Sequence, residues 1–249
     1  MRAAWRTCAA LACAAALMGQ SARNRDRDAV RDPANPTCPQ TPNWTDIQQM
    51  TLTPITRNGV RILLAEGVID AGLPERLRAV LVADPLIDEI WLRSPGGNAR
   101  AGTEAGRIIR GRFAEAGTLI TTRIPNGWTC FSACNFMYLG GSARILEPSG
   151  VFMVHMFTFT NDRGAIRYSV DQGAEATTEL IGDVEQESAL LASEDNDFLV
   201  RMGIPRALLT EVMYRQRAVA SGATPAQRYC LNRSEAERYR VHRPPTNDE

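Results

Sequence analysis

Residues 128–156 read WTCFSACNFMYLGGSARILEPSGVFMVHM, and they place two different element patterns next to each other. The run 132–139 predicts a helix, whereas VFMVHM at 151–156 is a short apolar run of the kind that forms a buried strand. A helix followed by a buried strand favours the α/β class.

The same alternation extends along the rest of the chain. Strands are predicted over 60–65, 87–92 and 118–122, and helices over 73–82 and 175–202. A further helix follows Gly97, because one face carries Ala101, Ala105, Ile108, Ile109 and Phe113 at helical spacing. The long helix has a stripe of Leu180, Val184, Leu191 and Phe198. Strands separated by helices predict a mainly parallel sheet flanked by helices, with right-handed crossovers.

The N-terminus has the layout of an export signal. In residues 1–22, Arg2 and Arg6 precede an apolar stretch over 8–18, which is short for a membrane span. Lipid attachment at Cys13 and an uncleaved N-terminal anchor remain alternatives. Residues 23–46 are charged and then Pro-rich, and we expect a flexible or extended lead-in. A single domain is predicted over 47–243, followed by a tail over 244–249.

Composition excludes several kinds of chemistry. All 28 basic residues of the 249-residue chain are Arg, so a Walker phosphate loop, a Schiff base and a Ser/Lys dyad are excluded. The 28 acidic residues balance the charge, and no strongly basic face for nucleic acid is indicated. Histidine chemistry is limited to His155 and His242.

Four cysteines follow the signal segment, namely Cys38, Cys130, Cys134 and Cys230. In an oxidising compartment they are compatible with two disulfides, whose pairing the sequence leaves open. Buried free thiols are the alternative. The spacing of Cys130 and Cys134 does not match a zinc knuckle, and no metal site is predicted.

Three segments are candidates for a reaction site. SPGG at 94–97 follows a strand, Ser132 precedes an apolar helix, and His155 is the polar residue of an apolar strand. Glycines let backbone N–H groups approach a ligand, and a helix N-terminus favours developing negative charge. Each segment also has a structural interpretation: an ordinary turn, an N-cap and a core histidine.

Taken together, the three segments resemble one superfamily, which contains the Clp protease proteolytic subunit and the crotonases. The resemblance runs from about Val60 to Val241, and its most specific parts are IWLRSPGG, CFSAC, GGSARILEPSGVFMVHMF and the closing YCLNRSEAERYRV. It is strongest toward exported bacterial proteins of the Clp type. The resemblance implies a spiral of ββα units with helices flanking the sheet.

The resemblance also implies roles for individual residues. Ser132 is the implied nucleophile and His155 its general base, while the backbone N–H groups of Gly97 and Ala133 form the oxyanion hole. Arg228 stands where the family has the third, acidic member of a triad, and no acidic residue occurs from 212 to 232. Other carboxylates are candidates for that role: Asp171 first, and Asp183, Asp195 and Asp197 as helix residues more typical of surface charge.

The sequence therefore predicts an exported, periplasmic serine hydrolase, a peptidase that acts on peptides or proteins without an ATPase partner. No cofactor is expected, and the resemblance implies a homo-oligomer, either a trimer or a ring. The alternative is a catalytically inactive Clp-like fold that binds a peptide or protein, and the missing acid supports it. Crotonase-type acyl-CoA chemistry is disfavoured, because an exported protein meets little CoA.

Overall fold

The structure, a computed structural model, describes residues 30–117, 119–160, 162–216 and 227–245. The predicted signal segment over 1–22, the first part of the lead-in and the last residues of the tail lie outside these ranges.

Along the described residues the strands are β1 (Arg31–Asp32), β2 (Asn35–Pro39), β3 (Thr51–Arg57), β4 (Val60–Glu66), β5 (Glu89–Arg93), β6 (Thr121–Ile124), β7 (Thr129–Phe131), β8 (Ala143–Leu146), β9 (Val151–Val154) and β10 (Tyr229–Cys230). The helices are α1 (Leu73–Ala83), α2 (Ala99–Ala116), α3 (Ala133–Leu139), α4 (Arg163–Gln172), α5 (Ala174–Arg201), α6 (Ala207–Tyr214) and α7 (Arg233–Arg238).

A central five-stranded sheet has the order β3-β4-β5-β6-β8. The pairs β4–β5, β5–β6 and β6–β8 are parallel, and β3 is antiparallel to β4. Asn58 and Gly59 both have positive φ, 51° and 79°, as a tight hairpin turn between twisted strands requires. The predicted α/β class with a mainly parallel sheet and flanking helices is confirmed.

A second, three-stranded sheet has the order β10-β9-β7, with β7 parallel to β9. It meets the central sheet where β5 ends. The N–H of Ser94 donates to the carbonyl of Thr129 at 3.0 Å, and the N–H of Phe131 donates to the carbonyl of Ser94 at 3.1 Å. These bonds bring the segment after β5 next to the segment after β7, which is where two of the candidate motifs lie.

Helix α3 is held against helix α2 at the distance of backbone contact. A Cβ at Gly102 would lie 2.5 Å from the carbonyl oxygen of Ala133, and one at Gly106 would lie 2.4 Å from that of Phe136. Only glycine allows such an approach. The apolar face predicted for α2 is buried at Ala101, Ala105, Ile108 and Ile109, whereas the side chain of Phe113 lies outside the described part.

Several predicted boundaries shift. The strand predicted over 87–92 lies at 89–93, the one predicted over 118–122 lies at 121–124, and the one predicted over 151–156 ends at 154. The sequence analysis does not predict strands β1, β2, β3, β7, β8 and β10 or helices α4, α6 and α7. Strand β3 is an edge strand with half-exposed and exposed residues throughout, so it lacks the apolar run that marks the buried strands.

The predicted lead-in is more ordered than its composition indicates. Within 23–46, β1 and β2 form a short antiparallel pair, and Cys38 of β2 is joined by a disulfide to Cys230 of β10. The hydroxyl of Thr37 also accepts a hydrogen bond from the N–H of Cys230 at 3.0 Å. The segment predicted to be flexible or extended thus contains two short extended strands, and a long-range disulfide joins it to β10.

Candidate active site

Ser132 occupies a sharp turn between strand β7 and helix α3. Its backbone has φ 57° and ψ −124°, a conformation that residues with a side chain rarely adopt and that is found mostly at functional sites. A strained strand-to-helix turn of this kind exposes a nucleophile above the sheet. Ser132 stands at the N-cap position of α3, but its hydroxyl makes no capping hydrogen bond and is instead paired with His155.

A disulfide spans this turn. Cys130 and Cys134, two residues before and two after Ser132, are both fully buried and bonded to each other, with Cα atoms 5.4 Å apart. The sequence left the pairing open. The covalent link joins the strand to the first turn of α3 and restricts the backbone around the serine.

His155 lies one residue beyond the end of β9, and its Nε2 is 2.6 Å from the Oγ of Ser132. The backbone on both sides of the histidine is held by Gln216. Its Oε1 accepts from the N–H of Met156 at 2.8 Å, and its Nε2 donates to the carbonyl of Val154 at 3.1 Å. Gln216 is 2% exposed. No sequence motif marks this residue, since its role depends on a contact across 60 positions.

An aromatic stack supports the imidazole. The ring of Phe131 lies 4.7 Å from that of His155, and Trp44 stacks on Phe131 with ring centroids 5.6 Å apart. The guanidinium of Arg228 lies over the Phe131 ring at 5.4 Å. The sequence predicts a site formed only by the domain over 47–243. Trp44 lies in the predicted lead-in, so the lead-in also contributes a residue to the site.

Two backbone N–H groups face the serine. Those of Gly97 and Ala133 have no acceptor among the described residues, and both residues line the cavity that contains Ser132 and His155. Ala133 is the first residue of α3, so its N–H is unpaired within the helix. The resemblance predicts that these two N–H groups donate to one oxygen, as an oxyanion hole requires.

The glycine turn is packed too tightly for any other residue. Gly96 and Gly97 have φ values of +89° and +142°. A Cβ at Gly96 would lie 2.7 Å from the carbonyl oxygen of Phe131, and one at Gly97 would lie 2.2 Å from that of Ile69. The hydroxyl of Ser94 also accepts from the N–H of Gly96 at 3.0 Å. The turn therefore does more than connect a strand to a helix, because it abuts the serine turn directly.

No carboxylate completes a triad within the described ranges. Asp171, the first candidate, lies exposed near the end of α4 without a hydrogen bond to His155, and Asp183 is exposed on α5. Asp197 pairs with Arg201 at 2.8 Å. The remaining candidate, Asp195, lines the cavity and makes no hydrogen bond to the imidazole.

The electrostatics keep the imidazole neutral. Burial lowers the pKa of His155 below its ordinary value of 6.5, and the positive charge of Arg228 lowers it further. A hydrogen bond to the backbone of Met156 opposes both effects. A neutral imidazole is the form that accepts a proton from serine.

A pH dependence follows from this pKa. The neutral base predominates above the pKa of His155, so we expect the rate of Ser132 acylation to fall with decreasing pH only below 6.5. Arg228→Gln removes a charge that lowers this pKa, so its acid limb is expected at higher pH than that of the wild type. The rates at which a fluorophosphonate probe labels Ser132 between pH 4 and 9 give the pH profiles of the wild type and of Arg228→Gln. Arg206→Gln, at the residue that precedes α6, is the control, and an acid limb unchanged by Arg228→Gln would contradict the assignment.

Across the ranges that the structure describes, no group of three or more His, Cys, Asp or Glu side chains is placed to bind an ion.

No protein-family model and no curated protein matches the chain. Among solved structures, it is similar to a mutant of ClpP1 from Listeria monocytogenes, with 16% identity, 72% of this chain and 86% of that chain covered, and a TM-score of 0.47. It is also similar to a mutant of the 1510-N membrane-bound stomatin-specific protease, with 14% identity, coverage of 73% and 75%, and a TM-score of 0.43.

A third similar structure is an enoyl-CoA hydratase/isomerase from Marinobacter aquaeolei, with 11% identity, coverage of 77% and 69%, and a TM-score of 0.44. Identities and scores this low are insufficient to transfer a reaction to this chain.

Proposed function

We propose that the protein is an exported serine hydrolase, an ATP-independent peptidase that uses Ser132 and His155 as a dyad. The observation that carries the proposal is the 2.6 Å separation of His155 Nε2 and Ser132 Oγ on a strained strand-to-helix turn. The two unpaired N–H groups beside that turn supply the second requirement of acyl transfer, which is stabilisation of a developing oxyanion.

Acylation follows from the positions of these groups. His155 Nε2 takes the proton of Ser132 as Oγ forms a bond to the substrate carbonyl carbon, and the carbonyl π electrons move onto oxygen. The N–H groups of Gly97 and Ala133 donate to that oxyanion. Collapse of the tetrahedral intermediate breaks the C–N bond, and the imidazolium gives its proton to the leaving amine.

Deacylation follows the same steps as acylation, with water as the nucleophile. His155 removes a proton from a water molecule, whose oxygen attacks the acyl-enzyme carbonyl. The second tetrahedral intermediate then expels Ser132 Oγ, which regains its proton from the imidazolium. The acid product leaves and the starting protonation states return.

The dyad operates without an orienting carboxylate. Gln216 fixes the backbone on both sides of His155, and the Met156 backbone and the Phe131 ring hold the imidazole itself. These contacts orient the ring but do not stabilise the imidazolium as an Asp does. Where a triad Asp has been removed, turnover falls by roughly 10⁴, and we therefore propose a slow enzyme.

We further propose that the substrates are peptides or proteins and that the enzyme acts without an ATPase partner. The protein is also proposed to form a homo-oligomer of the trimer or ring type. It places the protein in the periplasm after export. The two disulfides support an oxidising location, since such bonds are rare in reducing compartments.

None of the helices in the described ranges is long and apolar enough to cross a membrane.

A second function, binding of a peptide or protein without turnover, is favoured by one observation. Arg228 stands where the resemblance implies an acid, and its charge disfavours the imidazolium that catalysis requires. On this proposal the cavity binds its ligand while Ser132 stays unmodified.

A fluorophosphonate probe decides between the two functions. We expect the probe to modify Ser132 of the wild type, as measured by mass spectrometry of the peptide that contains it, and not to modify Ser132→Ala. Ser149→Ala, at a hydroxyl that bonds only Asn126, is the control and is expected to react like the wild type. If the probe did not label well-folded wild-type protein, the proposal of a serine hydrolase would be rejected and the binding function would be favoured.

A further inference from the structure

One acidic residue enters the cavity beside the serine. The cavity has a volume of about 350 Å³ and lies between α3, β9, α5 and α6. Asp195 of α5 lines it, together with Ser132, His155 and Gly97. No Arg is among the residues that line it, so Asp195 and His155 are its titratable groups.

Asp195 has no partner of its own. Among the described residues it makes no ion pair or hydrogen bond, although its neighbours on α5 do. Glu194 pairs with Arg100 at 3.7 Å, and Asp197 pairs with Arg201 at 2.8 Å. Burial raises the pKa of Asp195 to about 6, and Glu194 adds to the rise, so the carboxyl is ionised above that pH. Asp195 is half-buried, and a carboxylate that has lost part of its hydration without gaining a cation is stabilised when a ligand supplies one.

A second acceptor in the same cavity also lacks a donor. Asn135 of α3 is 7% exposed, and its Nδ2 donates to the carbonyl of Met153 at 2.6 Å. Its Oδ1 is buried and has no hydrogen-bond partner in the described structure. Native structures contain few such groups, and an unmade hydrogen bond at a cavity wall indicates a missing donor.

The rest of the lining is mostly apolar. It is formed by Phe136, Leu139, Phe152, Val154, Leu191 and Leu199. Such walls suit the methylene stem of a long basic side chain, whose charged head then reaches a polar group at the end. The cavity thus combines an apolar channel with acceptors that lack donors.

We propose that this cavity is the subsite for the side chain of the residue whose carbonyl Ser132 attacks, and that Asp195 selects an arginine or lysine there. The proposal rests on the proposed function, because it assigns the substrate class of the same site. The guanidinium or ammonium group donates to the Asp195 carboxylate, and Asn135 Oδ1 accepts a further hydrogen bond.

Binding tests the subsite without requiring chemistry. Calorimetric titration of the Ser132→Ala protein at pH 8 uses two probes, N-acetyl-argininamide and N-acetyl-leucinamide. We expect the arginine compound to bind at least about tenfold more tightly, as a desolvated charge pair predicts. Adding Asp195→Asn is expected to remove this preference, and Asp195→Leu to reverse it. Asp197→Asn, on the same helix but paired outside the cavity, is expected to retain it.

Several results would overturn the subsite. These are equal or tighter binding of the leucine compound, a preference that survives Asp195→Asn, and no binding of either compound at millimolar concentration. Thermal unfolding of each variant shows whether it is folded. The fluorophosphonate experiment separates the two proposals: labelling without an arginine preference rejects the subsite alone, and a preference without labelling rejects the hydrolase alone.

Discussion

His155→Ala is expected to lower the rate of Ser132 acylation by about 10²-fold, because loss of the His from a serine triad costs about 2 × 10⁶ whereas loss of the Asp, which is missing here, already costs about 3 × 10⁴. Without the imidazole, no described side chain is hydrogen-bonded to the Ser132 hydroxyl, so none is placed to take its proton at neutral pH. The oxyanion donors remain, so a residual rate above that of the uncatalysed reaction is expected. Labelling rates with the fluorophosphonate probe measure the loss.

The chain provides a matched control in its other histidine. His242 accepts a hydrogen bond from the N–H of Leu146 at 3.1 Å through Nδ1, and its Nε2 lies 2.7 Å from a guanidinium nitrogen of Arg233. Both contacts are structural, so His242→Ala is expected to change stability and leave the acylation rate within about twofold. A loss below tenfold in His155→Ala would show that another group acts as the base.

The serine, the histidine and the glycine turn could be identified from the sequence because each lies in a short segment with its own pattern. The glycine turn follows a buried strand, Ser132 precedes an apolar helix, and His155 ends an apolar run. Local patterns of this kind predict where elements end, and the resemblance supplied the order in which they meet. The structure adds the distance between Ser132 and His155, which no local pattern contains.

Residues that support the site from afar could not be found in this way. Gln216 contacts the backbone around His155 across 60 positions, and Trp44 reaches the site through a stack on Phe131. The sequence predicts Asp195 only as a triad candidate more typical of surface charge, because helical spacing alone does not show that its side of α5 faces the cavity. Strand ends shifted by two or three residues for a related reason, since pairing with a neighbouring strand sets where each strand begins and ends.

Gly97→Ala is expected to lower the free energy of unfolding by about 3 to 5 kcal/mol, among the largest effects of single substitutions. The added Cβ would lie 2.2 Å from the carbonyl oxygen of Ile69, which also accepts the N–H of Asn98 at 2.8 Å. The backbone must shift to relieve this contact, and the N–H of Gly97 shifts with it. Loss of one oxyanion donor lowers the acylation rate by about 10²- to 10³-fold.

Gly59→Ala is the control for Gly97→Ala, because it measures the free-energy cost of a side chain at positive φ without a steric contact. Gly59 has φ +79° in the β3–β4 hairpin turn, and a Cβ there meets nothing within 4 Å. Its substitution is therefore expected to cost only about 1 kcal/mol and to leave acylation unchanged. Urea unfolding gives the stabilities, and labelling under conditions where each variant is folded gives the rates. If folded Gly97→Ala reacted with the probe as fast as the wild type, the N–H of Gly97 would not stabilise the oxyanion, and Ala133 would be left as the sole backbone donor of the proposed hole.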